Sequence, residues 1–190
     1  MTDPLIQTAA GSPAESVIPR WATGVSDGLW AAGCRDIVYV PDNPLSHILA
    51  ALQRDHRGVR TLLAMREEEA LGIAAGLFLG GARPAVLMQS SGVGNTLNAL
   101  GSLLIPYQVP VLLIVSMRGD PGEWNSAQVP MGRAVAPVLD AFGVQHLSVD
   151  RDEAAADTVL ALANLAFGTR LPAACLLPRR LTVPVRGGVA

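Results

Sequence analysis

Six short apolar runs, rich in β-branched residues, recur along the chain: Ile37–Pro41, Thr61–Met65, Ala85–Gln89, Val111–Val115, Gln145–Val149 and Ala173–Leu177. Their starts lie 24 to 34 residues apart, close to the roughly 30 residues that one strand–helix–strand crossover consumes. The runs are continuously apolar rather than alternating, as expected of parallel strands covered on both faces. The spacing therefore predicts an α/β fold: a doubly wound, six-stranded, mainly parallel sheet with helices on both faces. One such domain fits residues 17–180. Residues 1–16 read as a flexible leader, lacking the positive start and apolar stretch of a signal peptide, and residues 181–190 as a C-terminal tail.

Charge distribution sharpens this picture. Only 16% of the 190 residues are charged and the net charge is −2, against roughly 25% charged in an average soluble domain. No charged residue falls between Arg83 and Arg118. A membrane helix needs about 20 continuous apolar residues, and Gln89, Ser90, Ser91, Asn95, Asn98, Pro106 and Pro110 interrupt this span. Buried strands and a helix explain it better. Two helices carry the deficit. One follows Glu67, Glu68 and Glu69 and runs charge-free to Ala82 with Gly72 and Gly76 along it; the other covers Asn95 to Leu104. Helices without a polar face are buried all round, yet one sheet covers only one side. A partner subunit is expected on the other. The remaining helices, Ser16–Ala32 and Asp152–Phe167, read as ordinary amphipathic covers.

Several chemistries are excluded. All 14 basic residues are Arg, so no Schiff-base or P-loop lysine exists. No basic stripe supports nucleic-acid binding. Cys34 and Cys175 form no CxxC, and His47, His56 and His146 have no metal-ligand spacing; no metal site and a reducing, cytoplasmic setting follow.

In open α/β sheets the working site lies beyond the carboxyl ends of the strands, which directs attention to five loops. Glu67 opens a helix expected to be buried, where partial desolvation suits a carboxylate to proton transfer; for Glu68 and Glu69 a favourable helix-terminus charge is explanation enough. The segment Gln89-Ser-Ser-Gly-Val-Gly-Asn95 follows a strand and opens a helix, so its N–H groups suit an anion or a cofactor edge. It lacks both the dinucleotide fingerprint and the GxSxG elbow. The Gly/Pro-rich loop from Ser116 to Arg133 reads as a lid or substrate loop, and Arg118 and Arg133, which bracket it, suit a small carboxylate, sulfonate or phosphonate. Solvated loop arginines are the plain alternative.

The stretch from Glu67 to Gly76, with Ala70 and Ala74 between, resembles the start of the pyrimidine-binding domain of thiamine-diphosphate enzymes, and of the three glutamates only Glu67 fits that register. Residues 83–95 and 110–115 continue the likeness. More narrowly, MREEEALGIAAG, MQSSGVGN, SMRGDPGE and PMGRAVAPVLDAFG are similar to the alpha-subunit type of the sulfopyruvate and phosphonopyruvate decarboxylases. The resemblance implies that Glu67 hydrogen-bonds the aminopyrimidine N1′ of thiamine diphosphate, that Ser90, Ser91, Gly92 and Asn95 border cofactor and substrate, and that Asp42 takes part in proton transfer. The sequence is one residue shorter than the family pattern before Asp42. It also implies decarboxylation of 3-sulfopyruvate to sulfoacetaldehyde, with 3-phosphonopyruvate as the alternative substrate. A catalytically silent binding or regulatory module of the same fold is the alternative outside catalysis.

One departure stands out. The family binds the diphosphate and Mg²⁺ through a second domain with a GDG motif, and the only Gly-Asp here is Gly119-Asp120, followed by Pro121. A separate beta subunit in a hetero-oligomer is therefore expected to supply that half.

Overall fold

The computed structural model describes residues 18–56 and 58–183. The expected leader (1–16) and most of the expected tail (181–190) lie outside them.

Each apolar run contains a strand, displaced by at most two residues from its expected start or end. These are β1 (Asp36–Tyr39), β2 (Arg60–Leu63), β3 (Pro84–Gln89), β4 (Leu112–Ser116), β5 (Gln145–Ser148) and β6 (Ala173–Leu177). They form one sheet in the order β2-β1-β3-β4-β6-β5, and every neighbouring pair is parallel. The expected "mainly parallel" sheet is wholly so.

Successive strand residues point to opposite faces, and the two hydrophobic clusters divide accordingly. Ile37, Ala85, Leu87, Leu112 and Ile114 pack with helices α1 (Arg20–Ala31), α2 (Asn43–Asp55) and α7 (Ala155–Thr169). Val38, Val86, Met88, Leu113 and Val115 pack on the other face with α3 (Glu67–Leu79), the helical run 90–104 and α6 (Val129–Ala141). The doubly wound reading is met. From β1 the chain moves outward to β2, whereas from β3 it moves the other way to β4. The topology therefore reverses between β1 and β3, where a crevice opens beyond the strand ends.

Two local expectations are corrected. The second charge-free helix starts earlier than Asn95 and is composite. It consists of α4 (Ser90–Val93), a 3₁₀ turn (Gly94–Thr96), α5 (Leu97–Ala99) and a π turn (Leu100–Leu104). It is not apolar all round: Asn95, Asn98, Gly101 and Ser102 face outward, while Leu100 and Leu104 are buried. The polar loop ends sooner than Arg133, because Val129-Pro130 starts α6, a position where proline's fixed φ and missing N–H suit a helix start.

Helix α3 presents its two glycines outward and buries Ala70, Ala74 and Ala75. Cβ atoms added at Gly72 or Gly76 would meet nothing within 4 Å. Leu79 and Met65 nearby are each 78% exposed. An apolar surface so open within one chain is what a partner subunit would cover. Among the described residues, no helix is long and apolar enough to cross a membrane.

Candidate active site at the strand ends

The three glutamates that open α3 separate by partner. Glu69 accepts the Met65 N–H at 2.8 Å, closing the helix start, and Glu68 pairs with Arg66. Glu67 turns instead toward the loop after β3, where Asn95 donates from Nδ2 to its Oε2 at 2.8 Å. Its side chain lies directly over Gly92, where an added Cβ would overlap Glu67 Cγ and the carboxyl group. A buried glycine is required there by the close approach. Glu67, Gly92 and Asn95 thus form one cluster; Glu67 itself is half-buried.

Asp42 stands at the first position before α2, with extended backbone (φ −153°, ψ 146°), yet its side chain does not cap the helix. An aspartate there ordinarily bonds to the helix N–H groups. Here Oδ1 accepts from Gln89 Nε2 at 2.8 Å and Oδ2 from Ser116 Oγ at 2.5 Å. The carboxylate ties together the ends of β1, β3 and β4, at the topological reversal. Ser91 extends the network by donating to Gln89 Oε1 at 2.8 Å, and buried Ser90 accepts the Arg118 N–H at 3.2 Å. A continuous polar seam therefore runs along the strand ends from Asp42 to the Ser90–Asn95 segment that receives Glu67.

Beyond this seam lies a cavity of about 490 Å³, lined among others by Asp42, His47, Met117, Arg118, Trp124 and Arg179. Its volume falls within the range of small-molecule sites. Arg118 grips Glu123 in a two-pronged pair, Nε to Oε2 at 2.7 Å and Nη2 to Oε1 at 2.9 Å. The Glu123 side chain is 1% exposed. The Arg118 bonds outweigh the opposing effect of burial and, with the N–H groups of Asn125 and Gly119, hold its carboxyl down at about 2. Arg179 approaches the same carboxylate, Nη1 to Oε2 at 3.7 Å, with its guanidinium carbon 5.8 Å from the Trp124 ring centre.

The loop is anchored behind the arginine. Gly119 adopts φ +80°, and an added Cβ at Gly132 would collide with the Arg118 carbonyl, so the loop backbone lies directly on the start of α6. Arg133, one residue further along that helix, is exposed and does not line the cavity. The structure brings together Asp42 and Arg118 at the cavity, and Glu67, Gly92 and Asn95 in a separate cluster. Arg133 it leaves apart. Sequence reasoning missed Gln89, Ser116 and Glu123 as partners and Arg179 as the second cavity arginine. The last was signalled only by its position just after β6, on one of the loops beyond the strand ends.

Among the described residues, no group of three or more His, Cys, Asp or Glu side chains is placed to hold a metal ion. Cys34 and Cys175 are buried in the core, which pushes both thiols up to about 12.

Comparison with known proteins agrees with this fold. The family model described as "Thiamine pyrophosphate enzyme, N-terminal TPP binding domain" matches residues 20–128. The alpha subunit of sulfopyruvate decarboxylase from Methanococcus maripaludis is 36% identical over 77% of this chain and 87% of its own length. The corresponding subunit from Methanocaldococcus jannaschii is 46% identical over 55% of this chain and 61% of its own. A phosphonopyruvate decarboxylase from Streptomyces viridochromogenes is 32% identical over 80% of this chain but only 38% of its own length. Among solved structures, a 2-oxoglutarate:ferredoxin oxidoreductase from Magnetococcus marinus superimposes with a TM-score of 0.67, covering 85% of this chain and 29% of that one at 15% identity; that likeness concerns the fold. With the family model spanning more than half its length, the chain belongs to the thiamine pyrophosphate enzyme N-terminal TPP-binding domain family and is a relative of the sulfopyruvate decarboxylase alpha subunits.

Proposed function

We propose that this chain is the alpha subunit of a thiamine-diphosphate-dependent decarboxylase that converts 3-sulfopyruvate to sulfoacetaldehyde and CO₂. The observation that carries the proposal is the placement of Glu67. It alone of the three helix-opening glutamates leaves its own helix, and it rests on Gly92 beside Asn95.

The residues fit one edge of the cofactor. Asn95 engages Oε2 of Glu67, and among the described residues Oε1 accepts no hydrogen bond. A half-buried carboxylate with one oxygen to spare suits the protonated N1′ of an aminopyrimidine. The donor set for diphosphate and Mg²⁺ is not met by the described residues, in keeping with a site completed by a beta subunit. When bound, thiamine diphosphate supplies the electron sink for decarboxylation. This chain's residues do the positioning: Glu67 fixes the pyrimidine, Asn95 fixes Glu67, and Ser90, Ser91 and Gly92 shape the border. Asp42, held by Ser116 and Gln89 at the cavity wall, is in this reading the group that holds or delivers a proton to the product carbon. The exposed Gly72–Gly76 face of α3 is assigned to the partner.

The test is reconstitution. The chain alone should release no CO₂ from 3-sulfopyruvate, and adding the beta subunit, thiamine diphosphate and Mg²⁺ should restore release. Turnover by the chain alone would overturn the split site. Preference for 3-phosphonopyruvate in the same assay would favour the alternative substrate, for which the Streptomyces viridochromogenes relative speaks.

A further inference from the structure

The arrangement of Arg118, Glu123 and Arg179 goes beyond this assignment, though it rests on the same site. We propose that Arg179 is the residue that contacts the substrate's acid group distal to the keto acid, and that buried Glu123 sets the charge of that subsite so that it accepts a singly charged sulfonate in preference to a doubly charged phosphonate.

The two arginines differ in availability. Arg118 directs Nε and Nη2 at Glu123, so most of its donor fork is committed within the protein. Arg179 lies 3.7 Å from the same carboxylate, outside hydrogen-bond distance, and among the described residues its guanidinium donates no hydrogen bond. Its side chain is 14% exposed, at the wall of the cavity with Trp124 over it. Its backbone is fixed by Asp120, which accepts the Arg179 N–H at 2.9 Å and does not line the cavity. Arg179 therefore offers a placed, partly desolvated guanidinium with its donors unspent, the geometry suited to a tetrahedral oxyanion.

Glu123 fixes the count. Two guanidinium groups share Glu123, and Asp42 also attracts Arg118, so little net positive charge is left for a ligand. Asp42, the other carboxylate at the cavity, accepts from the neutral donors Gln89 and Ser116, keeps its charge and disfavours extra negative charge on a ligand. His47 is the remaining titratable group on the wall. A sulfonate brings one charge, and the limited positive charge here serves it better than a dianion. A phosphonate dianion exceeds it and must either shed its second charge or remain partly uncompensated in a confined site. Without the Glu123 charge the same cavity would be one unit more positive, and the dianion would gain more from that than the monoanion.

The experiment uses the full chain assembled with the beta subunit, thiamine diphosphate and Mg²⁺. Arg179→Gln should raise KM for 3-sulfopyruvate by about ten- to hundredfold with a smaller change in kcat, and Arg179→Lys should recover part of the loss. Glu123→Gln should shift the kcat/KM ratio toward 3-phosphonopyruvate by about tenfold or more. In parallel, calorimetry on the same assembly should show sulfoacetate binding better than phosphonoacetate, with Arg179→Gln weakening both and Glu123→Gln narrowing or reversing the preference. An unchanged KM in Arg179→Gln, or an unchanged substrate ratio in a folded Glu123→Gln assembly, overturns the inference. If the wild type decarboxylates neither acid yet binds sulfoacetate through Arg179, the proposed reaction falls and the anion subsite stands.

Discussion

Asn95 donates to Glu67 over 2.8 Å although the two are 28 positions apart in the chain. The bond joins the start of α3 to the helical run that follows β3, and it exists because β1 lies between β2 and β3 and the chain crosses back over it. Glycine at position 92 lets the carboxylate lie against the backbone beside that bond. The pairing places an acid at the edge of the sheet's working end and leaves one of its oxygens available.

Replacing that carboxylate tests its chemistry without altering its shape. In the reconstituted enzyme, Glu67→Gln should lower kcat by about 10²–10⁴, the usual range for loss of a group acting in proton transfer. Sedimentation should show the subunits still associated. A near-wild-type rate would mean that another residue fills this role.

Gly92→Ala probes the same carboxylate from below. The added methyl group claims the space of the Glu67 side chain, so the carboxylate must move away from Asn95. We expect kcat to fall by about tenfold or more, since small displacements of a positioned group are costly. The melting temperature should change far less than the rate, because Glu67 is half-buried at the molecule's edge rather than in the core.

The pair between Arg118 and Glu123 predicts a pH signature. The Glu123 carboxyl falls from an ordinary 4.5 to about 2 in the folded chain, chiefly through its bonds from Arg118. A depressed folded value means that the unfolded chain binds more protons between those limits. The stabilisation is therefore complete above the ordinary value and is lost as pH falls toward 2. Glu123→Ala should destabilise the chain by roughly 3 kcal/mol at pH 7, as expected when a buried charge loses its partner. The gap between the denaturation curves of wild type and variant should close progressively below pH 4.5. A gap that persists undiminished to pH 2 would assign the loss to packing.

The outward face of α3 separates folding from assembly. Gly72→Ala and Gly76→Ala place methyl groups in open space, so each should stabilise the isolated chain by up to about 1 kcal/mol through helix propensity. The same substitutions should weaken association with the beta subunit, measured by sedimentation or calorimetry. Unaltered association would place the partner on another face.

The sequence by itself determined the number of strands, their alternation with helices and the acidic start of α3; it did not single out α2 or α6. These are local properties: continuous apolar runs mark strands buried on both faces, whereas the choice of Glu67 among the three acids came from the family resemblance. The identities of Asp42, Ser90, Ser91, Gly92 and Asn95 as residues of the strand ends were legible for the same reason, since each follows directly from a strand. Only the tertiary structure decided which loops stand side by side. The strand order β2-β1-β3-β4-β6-β5 sets β6 next to β4, so Arg179 rather than Arg133 joins Arg118 at the cavity. Arg133 is carried away because α6 begins at Val129, before the loop has run its expected length. The same order directs Asp42 away from capping α2 and toward Gln89 and Ser116 on two other strands. Even the charge of the site was decided there. Five positions separate Arg118 from Glu123, a spacing that does not reveal an ion pair until the loop folds back and buries the carboxylate. The low charge of the chain led to the expectation of a covered surface, and the fold places the open glycines Gly72 and Gly76 on one face of α3.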